Sequence, residues 1–266
     1  MLKRLCLGVV SAALLSATLL PVTTADASPH RGDAKRGVKL KASSTEVEEG
    51  DRLKLTAKVK GTGATRVTLQ KHSITVFGDP EWVDVKSKAV TSKKRVKFRV
   101  VATGENSERY RASVAYRDGR SVRSKPVTVT VWRWIALSRY APYYETPGAY
   151  FSAVAINGHT YNGYYTYSSA TSWEARFTAG RSCKAFRAVL GVQDKSGDGS
   201  SGTIKLTADD AVVYESPVLT PGMDLTVTQA LALPYRFGIQ LFDTSPDGTK
   251  AWPALGEPAL LCTGVA

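Results

Sequence analysis

The sequence predicts an all-β protein made of two sandwiches in tandem. Three observations carry this. Apolar and polar residues alternate with a period of two in segment after segment, the signature of strands with one buried face. No stretch beyond the N-terminal leader sustains a helical period. The charge balance changes sign midway: 28–134 holds 25 Lys+Arg against 11 Asp+Glu, a net of +14, while 135–266 holds 9 against 11, a net of −2. Two small β domains of different character fit that division.

Taken in order, residues 1–27 read as a signal peptide. Lys3 and Arg4 precede the apolar run Leu5–Leu20, and Ala25-Asp26-Ala27 supplies small residues around a cleavage point. Cys6 lies too far from that point for a lipoprotein. No later segment is apolar enough to span a membrane, and the final "LLCTGVA" is no anchor, so a secreted, extracellular or cell-wall-associated protein is expected. Residues 28–37 form a flexible basic tail, in which Arg31-Gly32-Asp33 is a chance tripeptide.

The first domain is expected over 38–134. "DRLKLTAKVKG" puts Leu53, Leu55, Ala57 and Val59 on one face and charges on the other, and "RVTLQ", "EWVDVKS", "RVKFRVV", "YRASVAY" and "KPVTVTVW" repeat the device. Gly61, Gly63, Gly78, Pro80, Gly104 and Gly119 separate these runs. Short strands at that spacing predict a β-sandwich. "KKRVKFR", Lys93 to Arg99, is the most basic run. Its charges alternate with Val96, Phe98 and Val100 and so form the solvated face of a strand. Stacking aromatics and a groove-reading helix are both missing, which argues against specific nucleic-acid recognition. Anionic wall polymers are the polyanion partners such a domain would meet outside the cell.

"SRYAPYYETPGAY" is rich in turn formers, so 135–150 is read as a linker between domains. The second domain, 151–266, begins with the aromatic-rich "INGHTYNGYYTYSSATSWEARF" and continues through "SCKAFRAVLGVQD", "GTIKLTAD", "AVVYES", "DLTVTQAL", "YRFGIQLFD" and "PALLC". Turns are expected at Ala208-Asp209-Asp210 and Thr220-Pro221-Gly222. A jelly-roll sandwich is predicted. Export leaves Cys183 and Cys262 as the cysteines of the mature chain, and one disulfide is their simplest use; two catalytic thiols would have only His159 nearby in sequence.

Two resemblances follow from these residues. "VTLQ", Trp82 with "VDV", and "YRASV" at Tyr110–Val114 resemble the bacterial immunoglobulin-like domains of exported actinobacterial proteins. That resemblance implies an immunoglobulin-like sandwich, with Trp82 in or near the core and Tyr110 at a corner. In the second domain, Tyr161-Asn162-Gly163, "AFRAVLGVQD", "GTIKLTADDAVVYES", "RFGIQLFD" and Trp252 stand in the order of the NPCBM family, carbohydrate-binding modules found beside glycoside hydrolases. The likeness runs from about Ile156 to Cys262. It implies a non-catalytic module that binds carbohydrate or cell-wall glycan. Many members carry a short His-containing stretch after the Gly. This chain has "YYTYSS" there, which implies that, if the stretch touches ligand, the specificity is altered or absent.

Asp194–Lys205, "DKSGDGSSGTIK", begins like an EF-hand loop but ends on a lysine where the bidentate glutamate belongs. It is read as the connection after the family's "G-x-D" strand. Some modules of this kind hold a structural calcium, for which Asp194 and Asp198 are the candidate oxygens; no other cofactor is expected. For sugar stacking the candidates are Tyr164, Tyr165, Tyr167, Trp173 and Trp252, with Asp194 and Asp243 for hydroxyls. At least half of those rings are expected in the core. An enzyme is not expected. Neither G-x-S-x-G nor a metal-spaced His pair occurs, and a glycosidase would have to bring Glu174 and Glu215 together. The alternative function is structural: an envelope protein held to anionic wall polymers by its basic domain, with a protein-contact role.

Overall fold

The computed structural model of the protein describes residues 36–90, 94–104, 106–167 and 170–265. The expected leader 1–27, the tripeptide at Arg31 and nearly all of the basic tail lie outside them. The described residues fold as an all-β protein of two sandwiches. In chain order the strands are β1 Gly37–Ala42, β2 Glu46–Glu48, β3 Arg52–Lys60, β4 Ala64–Ile74, β5 Pro80–Ala89, β6 Arg95–Val101, β7 Ser107–Tyr116, β8 Ser121–Arg123 and β9 Val127–Ala136. A short 3-10 turn at Leu137–Arg139 follows. Then come β10 Pro142–Glu145, β11 Ala149–Ile156, β12 His159–Thr166, β13 Ser172–Thr178, β14 Cys183–Val192, β15 Gly202–Ala208, β16 Ala211–Glu215, β17 Asp224–Ala230, β18 Arg236–Asp243 and β19 Pro253–Cys262.

The period-two pattern decides which face of each strand is buried. In β3, Leu53, Leu55, Ala57 and Val59 are buried while Arg52, Lys54, Lys58 and Lys60 are exposed. The sheet β1-β3-β6 packs against β9-β7-β4-β5 through Leu53, Leu55, Val67, Leu69, Phe98, Val114 and Val129. Tyr110 joins this core, its ring 1 % exposed and its hydroxyl donating to Glu108 Oε2 at 2.6 Å. Trp82 departs from expectation. It sits on β5, half-exposed, with the Arg111 guanidinium 4.2 Å from its ring centre and His72 edge-on at 5.2 Å. Its strand is a sheet edge, so one side of the ring faces solvent, and a cation rather than core packing covers it.

The stretch 135–150, expected as a linker, is regular structure. β9 is the reason. Its first half pairs with β7 and, in parallel, with β2, whereas Arg133–Ala136 pair with Cys262–Ala259 of β19. One strand therefore belongs to both sandwiches. Pro142–Glu145 then pairs with β13. Trp132 and Trp134 lie on this shared strand, against Ala185 and Leu261 and beneath Lys184 and Arg187, each cation 4.4 Å from its ring. Since Lys35–Ala266 forms one compact unit with continuous pairing across β9, calorimetry is expected to show one unfolding transition, not two. Two separable transitions would show that β9 does not couple the sandwiches.

The second sandwich faces β17-β14-β19-β12-β11 against β10-β13-β18-β15-β16. Trp173, Phe177, Phe186, Leu190, Ile204, Leu206, Phe237, Ile239, Leu241 and Leu255 fill the space between. Turn chemistry follows the sequence: Asp209 and Asp210 both adopt positive φ, 48° and 67°, in the tight β15–β16 hairpin. Cys183 and Cys262 are bonded across β14 and β19, closing 79 positions.

Candidate functional site

The site is built on the β11–β12 hairpin. Asn157 and Gly158 take φ of 49° and 75°, the two left-handed positions of a two-residue turn, and this fixes the register. Ile156 then faces His159, Tyr150 faces Tyr165, and Phe151 faces Tyr164. Asp194, at the head of the glycine-rich loop, locks the turn: its two oxygens accept the Asn157 and Gly158 amides at 2.7 and 2.9 Å. Asn157 Nδ2 donates to Asp224 at 2.7 Å, tying the hairpin to β17 as well.

Because side chains alternate, the hairpin has two aromatic faces. The inner one stacks Phe151 on Tyr164 (4.9 Å between ring centres) and Tyr164 on Trp173 (5.3 Å, planes 21° apart). Trp173 is 1 % exposed and its indole N–H donates to Glu145 at 3.2 Å. Burial, with a contribution from Glu145, raises the Tyr164 phenol above its ordinary value. The outer face gathers Tyr150, Tyr165 and Tyr167, with Tyr150 5.9 Å from Tyr165 and 5.2 Å from Tyr167. Tyr150 is 56 % exposed, and Ser152 Oγ lies 3.3 Å from the Tyr165 hydroxyl. Below them Tyr165 and Tyr161 rest on Val154, Ile156 and Ala254. Gly256 is required here, since a Cβ would stand 2.6 Å from the Tyr161 ring. A cleft of about 290 Å³ opens beside the hairpin, lined by Phe151, Asn162, Glu257 and Pro258, where Glu257 accepts the Asn162 amide at 3.0 Å.

The sequence-predicted residues thus divide. Tyr165 and Tyr167 share a solvent-facing surface; Tyr164 lies half-buried behind it. Trp173 is withdrawn from any ligand surface, because its strand turns that position inward. Asp194 spends both oxygens on the hairpin turn. Asp243 is also structural. Its carboxylate accepts Ser245 and Ala251 amides at 3.0 and 3.3 Å and faces Lys250 at 3.6 Å. Burial alone would raise the Asp243 carboxyl, but the Ser245 hydroxyl and those amides, with Lys250, hold it below the usual carboxylate range. Trp252 is half-buried, two residues before the Ala254 that pairs with Tyr165, with its amide on Ser196 Oγ. Its indole N–H is buried without a partner among the described residues, as are Gln193 Oε1 and Ser200 Oγ in the same pair of loops. The candidate calcium ligands do not fit the ion. Asp194 is engaged, Asp198 is exposed, and no group of three acidic, His or Cys side chains gathers among the described residues.

Glu174 and Glu215 stand at opposite ends of one cross-strand row, Glu174–Gln240–Lys205–Glu215. Three strand spacings put them about 14 Å apart, beyond the reach of a glycosidase pair. Each has its own cation, Arg176 for Glu174 and Lys205 at 3.1 Å for Glu215. Tyr150 is what the sequence reading missed. It lies in the stretch expected as a linker, yet counting outward from the Asn157-Gly158 turn places it opposite Tyr165.

The family model of the NPCBM/NEW2 domain matches residues 149–233, a span that holds Tyr150, Tyr165 and Tyr167. The match starts before and stops short of the likeness expected from sequence, leaving β18 and β19 outside. No curated protein matches the chain. Among solved structures, the CBM51-2 and INT domains of Clostridium perfringens ZmpB align at 15 % identity over 61 % of this chain and 39 % of that one, TM-score 0.40. The chain thus spans about two fifths of the length of that structure. The CBM22-1–CBM22-2 tandem of Paenibacillus barcinonensis Xyn10C aligns at 10 % identity over 86 % and 92 %, TM-score 0.32. A superoxide reductase from Ignicoccus hospitalis aligns at 13 % over 36 % and 80 %, TM-score 0.30. No helix among the described residues is long and apolar enough to cross a membrane.

Proposed function

We propose that the protein is an exported, non-catalytic glycan-binding protein whose second sandwich holds a sugar against Tyr150, Tyr165 and Tyr167. The outer tyrosine cluster carries the reading. Three rings share one strand surface inside the NPCBM/NEW2 match, with Tyr150 the most exposed of them and Tyr165 resting on Val154, Ile156 and Ala254 beneath. Sugar rings present C–H faces to such a surface and hydroxyls to its rim, here the Ser152 and tyrosine hydroxyls. Export is supported by the leader-like N-terminus and by the Cys183–Cys262 bond, which suits an oxidising compartment.

Replacing the most exposed ring tests this. Tyr150→Ala should weaken retention on the bound polysaccharide about tenfold or more, the loss typical of a contact hot spot, and leave the melting temperature within a degree or two of wild type. The polysaccharide is chosen by screening the intact protein on a glycan array. Phe151→Ala, on the opposite face, should leave binding intact. If Phe151→Ala abolishes binding and Tyr150→Ala does not, the ligand lies in the Glu257 cleft instead. If neither variant changes retention on any glycan, the glycan reading fails.

A further inference from the structure

Among the described residues, nothing packs on the outer face of β1-β3-β6 in the first sandwich, and its charges are of one sign. The register sets Lys39 beside Lys58 and Lys58 beside Arg95, then Lys41 beside Thr56 and Thr56 beside Lys97, then Lys54 beside Arg99. Every one of these Lys and Arg side chains is exposed. Among the described residues none of them has an acidic partner within ion-pair distance. Two rows border a shallow groove of about 400 Å³ lined by Lys39, Lys41, Thr56, Lys58, Arg95 and Lys97. Lys86 and Lys88 of β5 reach across to carbonyls of Arg99 and Lys97 at 2.6 and 2.8 Å, adding two more positive charges at the β6 edge.

Like charges placed directly opposite one another across strands cost stability, and a solvated face would normally intersperse acids. Here the cost recurs in two of the three rows, Lys39–Lys58–Arg95 and Lys54–Arg99, while Thr56 separates Lys41 from Lys97 in the row between. We propose that this face binds a linear acidic polysaccharide, laid along the strands with successive carboxylates against successive rows. Rows recur about every 6.7 Å along the strand and neighbouring strands lie about 4.8 Å apart, so an extended chain meets a regular grid of cations. Most of the cations are lysines, point charges that suit a flexible polymer better than a bidentate group. The outward positions of the three strands hold no aromatic ring, so nucleobases find no stacking platform. The site is separate from the tyrosine surface and does not rest on the glycan reading of the second sandwich.

The test uses the intact chain, polygalacturonate as probe, and titration over a range of NaCl. A polymer engaging six cations should give a log–log salt slope of about −4, and Lys39→Gln/Lys58→Gln should bring it to about −3 and lower affinity at low salt about tenfold or more. The same double variant should keep or raise the melting temperature, since it relieves one like-charge row. A control with the same loss of charge on exposed positions of the second sandwich, Arg139→Gln/Lys195→Gln, should retain wild-type binding. Monomeric galacturonate should not compete. Equal losses in both double variants would reduce the effect to net charge and overturn the site. Tighter binding of an oligothymidylate of matched charge would overturn the polysaccharide assignment.

Discussion

Trp173→Ala is expected to lower stability by about 3–5 kcal/mol, the range for removing a fully buried aromatic. The ring is 1 % exposed and lies where the two sheets of the second sandwich meet. Its loss would also strip the stacked partner from Tyr164 and leave Glu145 without its indole donor. Denaturant unfolding of the full chain measures it as a fall in midpoint at unchanged slope. Because Tyr164 links Trp173 to the hairpin that displays Tyr150, Tyr165 and Tyr167, glycan retention should decline only as the folded fraction declines. Tyr150→Ala has the reverse profile. A Trp173→Ala protein that stays as stable as wild type but no longer binds would put Trp173 in the ligand surface and contradict its burial.

The contrast shows what the sequence could and could not reveal. The alternation in "DRLKLTAKVKG" or "RVKFRVV" states which face is buried, because a strand has only two faces. The burial of β3 and β6 follows it residue by residue. Aromatic-rich strands are harder. In "YNGYYTYSSATSW" both faces carry rings, so period alone does not say which are platform and which are core. That depends on what packs against each face, Trp173 of the opposing sheet on one side and Ala254 of β19 on the other. Asp194 shows a related limit. Its spacing to Asp198 and Gly199 resembles a metal loop, whereas its oxygens serve a turn 36 residues upstream at Gly158. The shared strand β9 is hidden by composition: Pro147 and Gly148 mark a turn and Pro142 opens β10, yet turns between paired strands and turns in a free linker use the same residues. The basic run, by contrast, shows its solvated face in its own alternation over Arg95–Val101, but its alignment with Lys39, Lys41 and Lys58 needs the register.

Glu108→Ala should cost about 3–5 kcal/mol near neutral pH, and its pH dependence identifies the cause. The carboxylate is fully buried, with Oε1 accepting Lys71 Nζ at 2.6 Å and the Thr103 and Gly104 amides at 3.1 and 2.8 Å, and Oε2 accepting the Tyr110 hydroxyl at 2.6 Å. Removing it strands three buried or half-buried donors at about 1–3 kcal/mol each, less than additively. Lys71, partly exposed, can turn to water. Burial taken alone would raise the Glu108 carboxyl, but the bonds from Lys71, Tyr110 and Thr103 and the Lys71 charge outweigh it and hold the group below its ordinary value of 4.5. The folded state therefore resists protonation. The stabilisation is fully present above about pH 4.5 and is lost as pH falls through the lower folded value. Tyr110 bounds the other side: burial and its bond to Glu108 push the phenol well above 10, so its contribution holds below pH 10 and fades as pH rises beyond it. Wild-type stability should be flat between these limits and fall outside both. Glu108→Gln, which keeps the shape, should flatten the acid arm, leaving only the share held by Asp243 and Asp118, whose carboxyls are also lowered. An acid arm as steep in Glu108→Gln as in wild type would mean that this network does not set the protein's acid limit.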